Sequence, residues 1–226
     1  MSNIALIPVR GGSKSIPLKN IKMIYGKPLV YWATKSASDS KVIDKVVVAT
    51  DHIDIKNTVI SFNLPKVEIY DRKEENARDD STTKSFVLEY IENSNVKDDD
   101  NIFLIQATSP LITSKDIDGI YNKMVSEKAD SALTCVLNKR FYWTKDGKPI
   151  NHDINFRPRR QDFEGYMLEN GACWINSVKN LKEIKNCLNG KVCVYEMPEY
   201  TAIEIDEEFD FYIVEKLMEK YIKEKS

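Results

Sequence analysis

The stretch IALIPVRGGSKSIPLKN, residues 4–20, decides the fold class. Residues 4–9 form an apolar run of the length expected for a strand buried on both faces, and Gly11-Gly12 ends it. Arg10, Lys14 and Lys19 follow with no acid among them, and Ser13, Ser15 and Asn20 add neutral donors. A glycine turn lets backbone N–H groups approach an anion, and fixed cations neutralise it. Open α/β sheets bind ligands at the carboxyl ends of their strands, so a basic loop after the first strand reads as a phosphate site. Two familiar phosphate motifs are excluded by spacing. A P-loop needs G-x-x-x-x-G-K-[ST], but Ser13 separates Gly12 from Lys14, and the dinucleotide fingerprint lacks its third glycine.

Outward from this loop the pattern alternates. The predicted helices cover residues 28–38, 54–62, 81–93, 114–126 and 210 to about 223. The predicted strands after the first cover 45–49, 67–70, 101–105, 172–176 and 191–197. Strands alternating with helices imply βαβ units and a parallel sheet covered on both faces. Residues 131–157 depart from this pattern: they read as irregular and rich in aromatics, with Phe141-Tyr142-Trp143 and a turn at 146–149, and hairpin-like strands are expected there. So many aromatics outside the α/β pattern would expose an apolar patch on a monomer, which points to an interface.

A chain of 226 residues makes one large or two small domains and can bury a sizeable core; it is read as a single domain over 1–226. A net charge of −2 gives no electrostatic reason to expect nucleic acid or a membrane surface as partner. Four scattered cysteines and two histidines do not have the spacing of a structural zinc site and suit a reducing compartment. With no secretory leader pattern and no apolar run of spanning length, a cytoplasmic protein is expected.

The remaining chemistry sits at predicted strand ends and in two charged clusters. Arg10, Thr50-Asp51 and the Gln106-Ala107-Thr108-Ser109 run of LIQATSPLI could meet at one crevice. In IEIDEEFD, residues 203–210, Glu204 and Asp206 would share one face of a strand and offer hard oxygen ligands to magnesium. The same acids also read as a helix start with Asp206 as N-cap. RPRRQD, residues 157–162, could grip a carboxylate or phosphate, or be a surface loop. DRKEENARDD, holding Arg72 and Arg78, reads by itself as a solvated loop. A basic anion loop with a magnesium-type acid pair suggests phosphoryl or nucleotidyl transfer, and kinase signatures are absent.

PVRGGSKSIPLKN, LIQATSPLI, RPRRQDFEGYMLENGACWIN and IEIDEEFDF, in that order, resemble the CMP-sialic acid synthetases, or acylneuraminate cytidylyltransferases, over residues 4–211. The resemblance implies an α/β, Rossmann-like nucleotidyltransferase fold of the nucleotide-diphospho-sugar transferase type. Its sheet is mainly parallel and a small dimerisation subdomain covers residues 131–160. It further implies a homodimer that uses Mg2+ and CTP to activate a nonulosonic acid sugar, releasing pyrophosphate. Carried over, Arg10 and Lys19 act on the triphosphate, within a loop that includes Gly11, Gly12 and Ser13, and Asn20 contacts the nucleotide. Arg72 and Thr83 line the cytidine site, and Gln106, Trp143, Arg160 and Trp174 surround the sugar, with Arg160 supplied across the subunit interface. Asp206 binds the metal with Glu204, which stands where the family's D-x-D has an aspartate. RFYW, RPRRQD and LENG look most like the animal sialate enzymes and the bacterial KDN-activating ones. A KDO-type synthetase, a glycosyltransferase of similar fold and a silent nucleotide-binding module are the competing readings.

Overall fold

The opening apolar run becomes the central strand of the molecule. In the computed structural model, which describes residues 1–12, 15–73, 76 and 83–222, β1 spans Asn3–Pro8 and all but its last residue is buried. A 3-10 turn, Lys19–Ile21, and a two-residue hairpin of β2 (Met23–Ile24) and β3 (Lys27–Pro28) lead to α1 (Leu29–Asp39). Then follow β4 (Lys45–Thr50), α2 (Ile53–Ser61), β5 (Val67–Asp71), α3 (Thr83–Asn93), β6 (Asn101–Ile105) and α4 (Ser114–Ser126). The last part comprises β7 (Ser131–Asn138), β8 (Tyr166–Ser177), α5 (Val178–Ile184), β9 (Val192–Met197) and α6 (Glu208–Tyr221). The predicted start of the third helix at 81–82 lies outside the described residues.

Seven strands form one sheet in the order β5-β4-β1-β6-β8-β7-β9. Four of its six pairings are parallel; β8 runs antiparallel to both β6 and β7. The chain winds from β1 outward to β4 and β5, then returns to β6 on the other side of β1. That reversal is a topological switch point, and it opens a crevice beyond the carboxyl ends of β1 and β6.

Alternation along the central strands fills both faces. Ala5, Ile7, Val46, Val48, Phe103 and Ile105 pack under α1, α2 and α4, while Ile4, Leu6, Val47, Ile102 and Leu104 pack under α3 and α5. A third cluster joins Ile16 of the basic loop to Ile205, Phe211, Val214 and Met218. It pins the start of α6 against the loop after β1, and that contact positions the site.

Two expectations need correction. Residues 131–138, read as irregular, form β7 in the main sheet, and β8 is longer than the predicted 172–176. The pairing register of β7 and β8 jumps from Leu133↔Trp174 to Cys135↔Glu169, and the Thr134 hydroxyl exchanges hydrogen bonds with the Cys173 backbone across the irregularity. A bulge hides the ladder from any two-residue periodicity. Beyond β7, residues 139–165 make a tongue in which Trp143 and Pro149 form an isolated antiparallel bridge, as a hairpin-like reading expects.

Candidate active site

The glycine loop is held by its neighbours' polar groups. The Gly11 N–H donates to Asp51 Oδ1 at 2.9 Å, which ties the end of β1 to the end of β4. The His52 ring occupies the space a Cβ at Gly11 would need, at 2.6 Å, so glycine is required there by close approach. Gly11 therefore spends its own amide on a carboxylate, while Gly12 faces open space. Asn20, buried, donates to the Arg10 carbonyl at 3.1 Å and closes the loop on itself. Ser13, assigned to the nucleotide, and Lys14 lie outside the described residues.

Lys19 joins this loop to the acidic segment. Its ammonium donates to Ile205 O at 2.7 Å and to Asp206 Oδ1 at 3.2 Å, and Ser15 Oγ donates to Asp206 O at 2.6 Å. Residues 203–206 belong to no strand of the sheet, contrary to the strand expected for Glu204 and Asp206. A hydrogen bond from Ile205 N to Thr108 O at 2.9 Å docks the segment on the loop after β6. The alternation still holds, with Ile205 buried and its two acidic neighbours outside the core. Asp206 is not the N-cap of α6. That position is Glu207, and Asp210 Oδ2 accepts from both Asp206 N (2.9 Å) and Glu207 N (2.8 Å), leaving the Asp206 carboxylate for Lys19.

Glu204 lies against Gly171 of β8, where a Cβ would come within 2.2 Å of its Oε1. Burial, then the charges of Asp206 and Glu169, push the Glu204 carboxyl above its ordinary value, with Lys19 opposing them. Acids that disfavour each other's ionisation are relieved by a divalent cation. Two carboxylates beside a phosphate loop suit magnesium, which usually keeps waters and takes one or two protein carboxylates plus substrate phosphates. Among the described residues no three His, Cys, Asp or Glu side chains converge as a closed cage. The donor set fits an open magnesium site completed by substrate.

Arg72 follows β5 and packs its guanidinium over the Phe86 ring of α3 at 4.4 Å. Burial lowers its pKa, Asp51 and Glu89 oppose that, and Arg10 adds to it. Thr83 is exposed at the first turn of α3. Gln106 sits half-buried at the end of β6, its N–H donating to Ala172 O at 3.2 Å.

Of the other expected sugar residues, Trp174 binds Glu169, whose charge acts on Glu204, while Trp143 and Arg160 contact His152 and Glu199. Trp174 packs against the cluster under α3 and α5, and its indole N–H donates to Glu169 Oε1 at 2.8 Å. Trp143 stays on the tongue with its ring edge-on to His152, and Arg160 pairs with Glu199 at 3.3 Å. Arg160 lines a cleft of about 240 Å³ with Lys139, Glu196 and Glu199. Sequence reasoning missed Glu169 and Glu89. The signal for Glu89 is an acid three residues after Phe86 on the apolar face of a helix.

The model of the cytidylyltransferase family matches residues 4–224. The chain belongs to the cytidylyltransferase family. N-acylneuraminate cytidylyltransferase A of Danio rerio is 35% identical over 220 residues, 94% of this chain and 50% of that protein. Pseudaminic acid cytidylyltransferase of Campylobacter jejuni is 24% identical over 216 residues, 91% of each chain. The chain spans about half the length of the Danio rerio protein and of the Oncorhynchus mykiss N-acylneuraminate cytidylyltransferase. CMP:2-keto-3-deoxy-manno-octonic acid synthetase, solved with CTP, superposes with a TM-score of 0.73 at 17% identity, over 97% of this chain and 99% of that one. At that identity the likeness is one of fold, and it agrees with the Rossmann-like nucleotidyltransferase architecture expected from the motifs.

Proposed function

We propose that this chain carries the activity of an N-acylneuraminate-type cytidylyltransferase, coupling a nonulosonic acid sugar to CTP and releasing pyrophosphate. The observation that carries the proposal is the tether of Lys19 to Ile205 O and Asp206, which joins the phosphate-type loop of β1 to the acid pair. The relatives' names supply the sugar class.

The anomeric hydroxyl oxygen attacks the α-phosphorus in line; an O–P bond forms as the bond to the pyrophosphate oxygen breaks, and the hydroxyl proton passes to solvent. That hydroxyl sits on a crowded carbon, so positioning and neutralisation of charge carry most of the rate. Arg10 and Lys19 neutralise the triphosphate, Gly12 leaves room for it, and Arg72 with Thr83 and Asn20 orient the nucleotide. Gln106 faces the sugar. Glu204 and Asp206 would hold magnesium, which spreads phosphate charge and makes a coordinated hydroxyl more acidic.

The working form is a homodimer built on the tongue. Ile150, Ile154 and Phe156 are exposed there, Phe156 to 82%, which leaves an apolar face for a second copy. Arg160, which pairs with Glu199 at 3.3 Å within its own chain, then reaches the partner's sugar carboxylate. Four free cysteines suit a cytoplasmic setting, and no described helix is long and apolar enough to cross a membrane.

The test is pyrophosphate release from CTP and magnesium with N-acetylneuraminate, KDN, legionaminate, pseudaminate and KDO. Release with one or more of the nonulosonates, abolished by a chelator and restored by magnesium, is expected. Release with KDO alone transfers the reading to the KDO-type synthetases, and silence with every sugar overturns it.

A further inference from the structure

α3 carries a carboxylate that the mechanism above does not use. Glu89 is only 4% exposed, and burying a charge is costly unless every lone pair is engaged. Its Oε1 accepts from Tyr70 O–H at 3.1 Å and from Lys73 N at 3.0 Å, and its Oε2 accepts from Asn76 Nδ2 at 2.6 Å. All three donors belong to the end of β5 and the turn that follows it. The same turn holds Arg72: the Asn76 carbonyl accepts from its guanidinium, and the Arg72 N–H donates to Thr50 O at 3.0 Å.

Phe86 and Glu89 stand three residues apart on α3, so they share one helix face. The first provides the ring on which the Arg72 guanidinium lies, at 4.4 Å, and the second grips the turn that carries Arg72. Arg72 Nε is buried without a hydrogen-bond partner among the described residues, so this donor is open to a ligand. Burial and the bond to Glu89 push the Tyr70 phenol up to about 12, which keeps it a donor to the carboxylate throughout the neutral range.

We infer that Glu89 is the positioning residue of the nucleotide site: it never touches CTP, and it fixes Lys73 and Asn76 so that Arg72 meets the nucleotide with its guanidinium already oriented. This rests on the reading of Arg72 as a nucleotide contact given above. Loss of the Glu89 charge should therefore weaken CTP binding through Arg72 and leave the sugar side untouched.

The experiment measures CTP affinity by calorimetry, with magnesium, for wild type, Glu89→Gln, Arg72→Ala and the double variant, together with the KM of each for the sugar. Glu89→Gln keeps size and shape but replaces one acceptor oxygen by a donor. We expect its Kd for CTP to rise about 10-fold or more, the scale of a lost charged hydrogen bond. On the Arg72→Ala background the same change should alter Kd by less than about 2-fold, because coupled residues do not add. A residue with a merely structural role would weaken both backgrounds alike and raise the sugar KM as well; either result overturns the inference. Should Glu89→Gln not fold, Asn76→Ala removes the Oε2 donor and keeps the carbonyl that holds Arg72; it should weaken CTP binding in wild type and not with Arg72→Ala. Normal CTP binding by Glu89→Gln, beside weakened binding by Arg72→Ala, refutes Glu89 alone. A wild-type chain that does not bind CTP, or an Arg72→Ala chain that binds it normally, refutes the nucleotide reading and this inference with it.

Discussion

Lys19 has its position set before any substrate arrives. The side chain is 11% exposed, and two of its three N–H groups are engaged by Ile205 O and Asp206 Oδ1. A cation fixed in this way spends no reorganisation energy when charge moves toward the leaving group, so its effect falls on the transition state. Lys19→Ala should lower kcat by about 10²–10³, the scale for removing one preorganised donor. The KM for CTP should change little, and steady-state kinetics separates the two; a raised KM with kcat intact would make Lys19 a ground-state contact only. Gly171 is the complementary case. Its φ is +65° and the Glu204 carboxylate fills the space of a Cβ, so Gly171→Ala must strain the backbone and displace Glu204. The magnesium concentration for half-maximal activity should rise by about 10-fold or more, a loss of the size seen when a metal ligand's support is disturbed. A magnesium titration unchanged by this substitution would remove Glu204 from the metal site.

At the scale of elements, the start of α6 decides how the acid pair is presented. Asp210 gathers the Asp206 and Glu207 N–H groups, which otherwise would be orphaned at the helix start. The Asp206 side chain is thereby left 77% exposed and directed to Lys19. Asp210→Ala should cost about 1 kcal/mol, as lost caps do. For a domain of this size that corresponds to a fall in melting temperature of ~2–4 °C, measured by calorimetry. Activity should fall further than this small loss of stability implies, since Asp206 loses its backbone anchor; full activity in a destabilised variant would argue that the cap serves folding alone. α4 is an element that sequence reads to the residue. Thr113 N donates to Asp116 Oδ2 and Asp116 N to Thr113 Oγ1, a reciprocal cap visible as T-S-K-D before an apolar-periodic run.

Across the whole molecule, the tongue carries the apolar surface on which the proposed dimer is built. Phe141 packs on His152 and Phe163 at 4.6 and 5.0 Å, and Arg157 lies over its ring at 4.7 Å, so the tongue has a small core of its own. Its apolar exterior, with Ile150, Ile154 and Phe156, has no such cover. Phe156→Asp should shift the species seen by sedimentation from dimer towards monomer and lower activity with it. Mixing Arg160→Ala chains with Lys19→Ala chains should restore part of the activity, because one site of a mixed dimer keeps both side chains. A wild-type mass of one chain, or no recovery after proven subunit exchange, would sink the shared site.

Sequence by itself determines the alternating core, the site of the basic loop and the acid pair. Residues 101–105 and 114–126 have the bounds that the structure has, because burial on both faces and a reciprocal cap leave local signatures. Tertiary structure alone decides that 131–138 joins the sheet, since a bulge against β8 breaks the periodicity that would reveal it. It alone decides that Gly11 and Gly171 are glycines for want of room beside His52 and Glu204, partners 41 and 33 residues away along the chain. The role of Glu89 is of the same kind. A buried carboxylate on a helix reads as an anomaly until the turn it holds is seen, because long-range hydrogen bonds have no period in sequence.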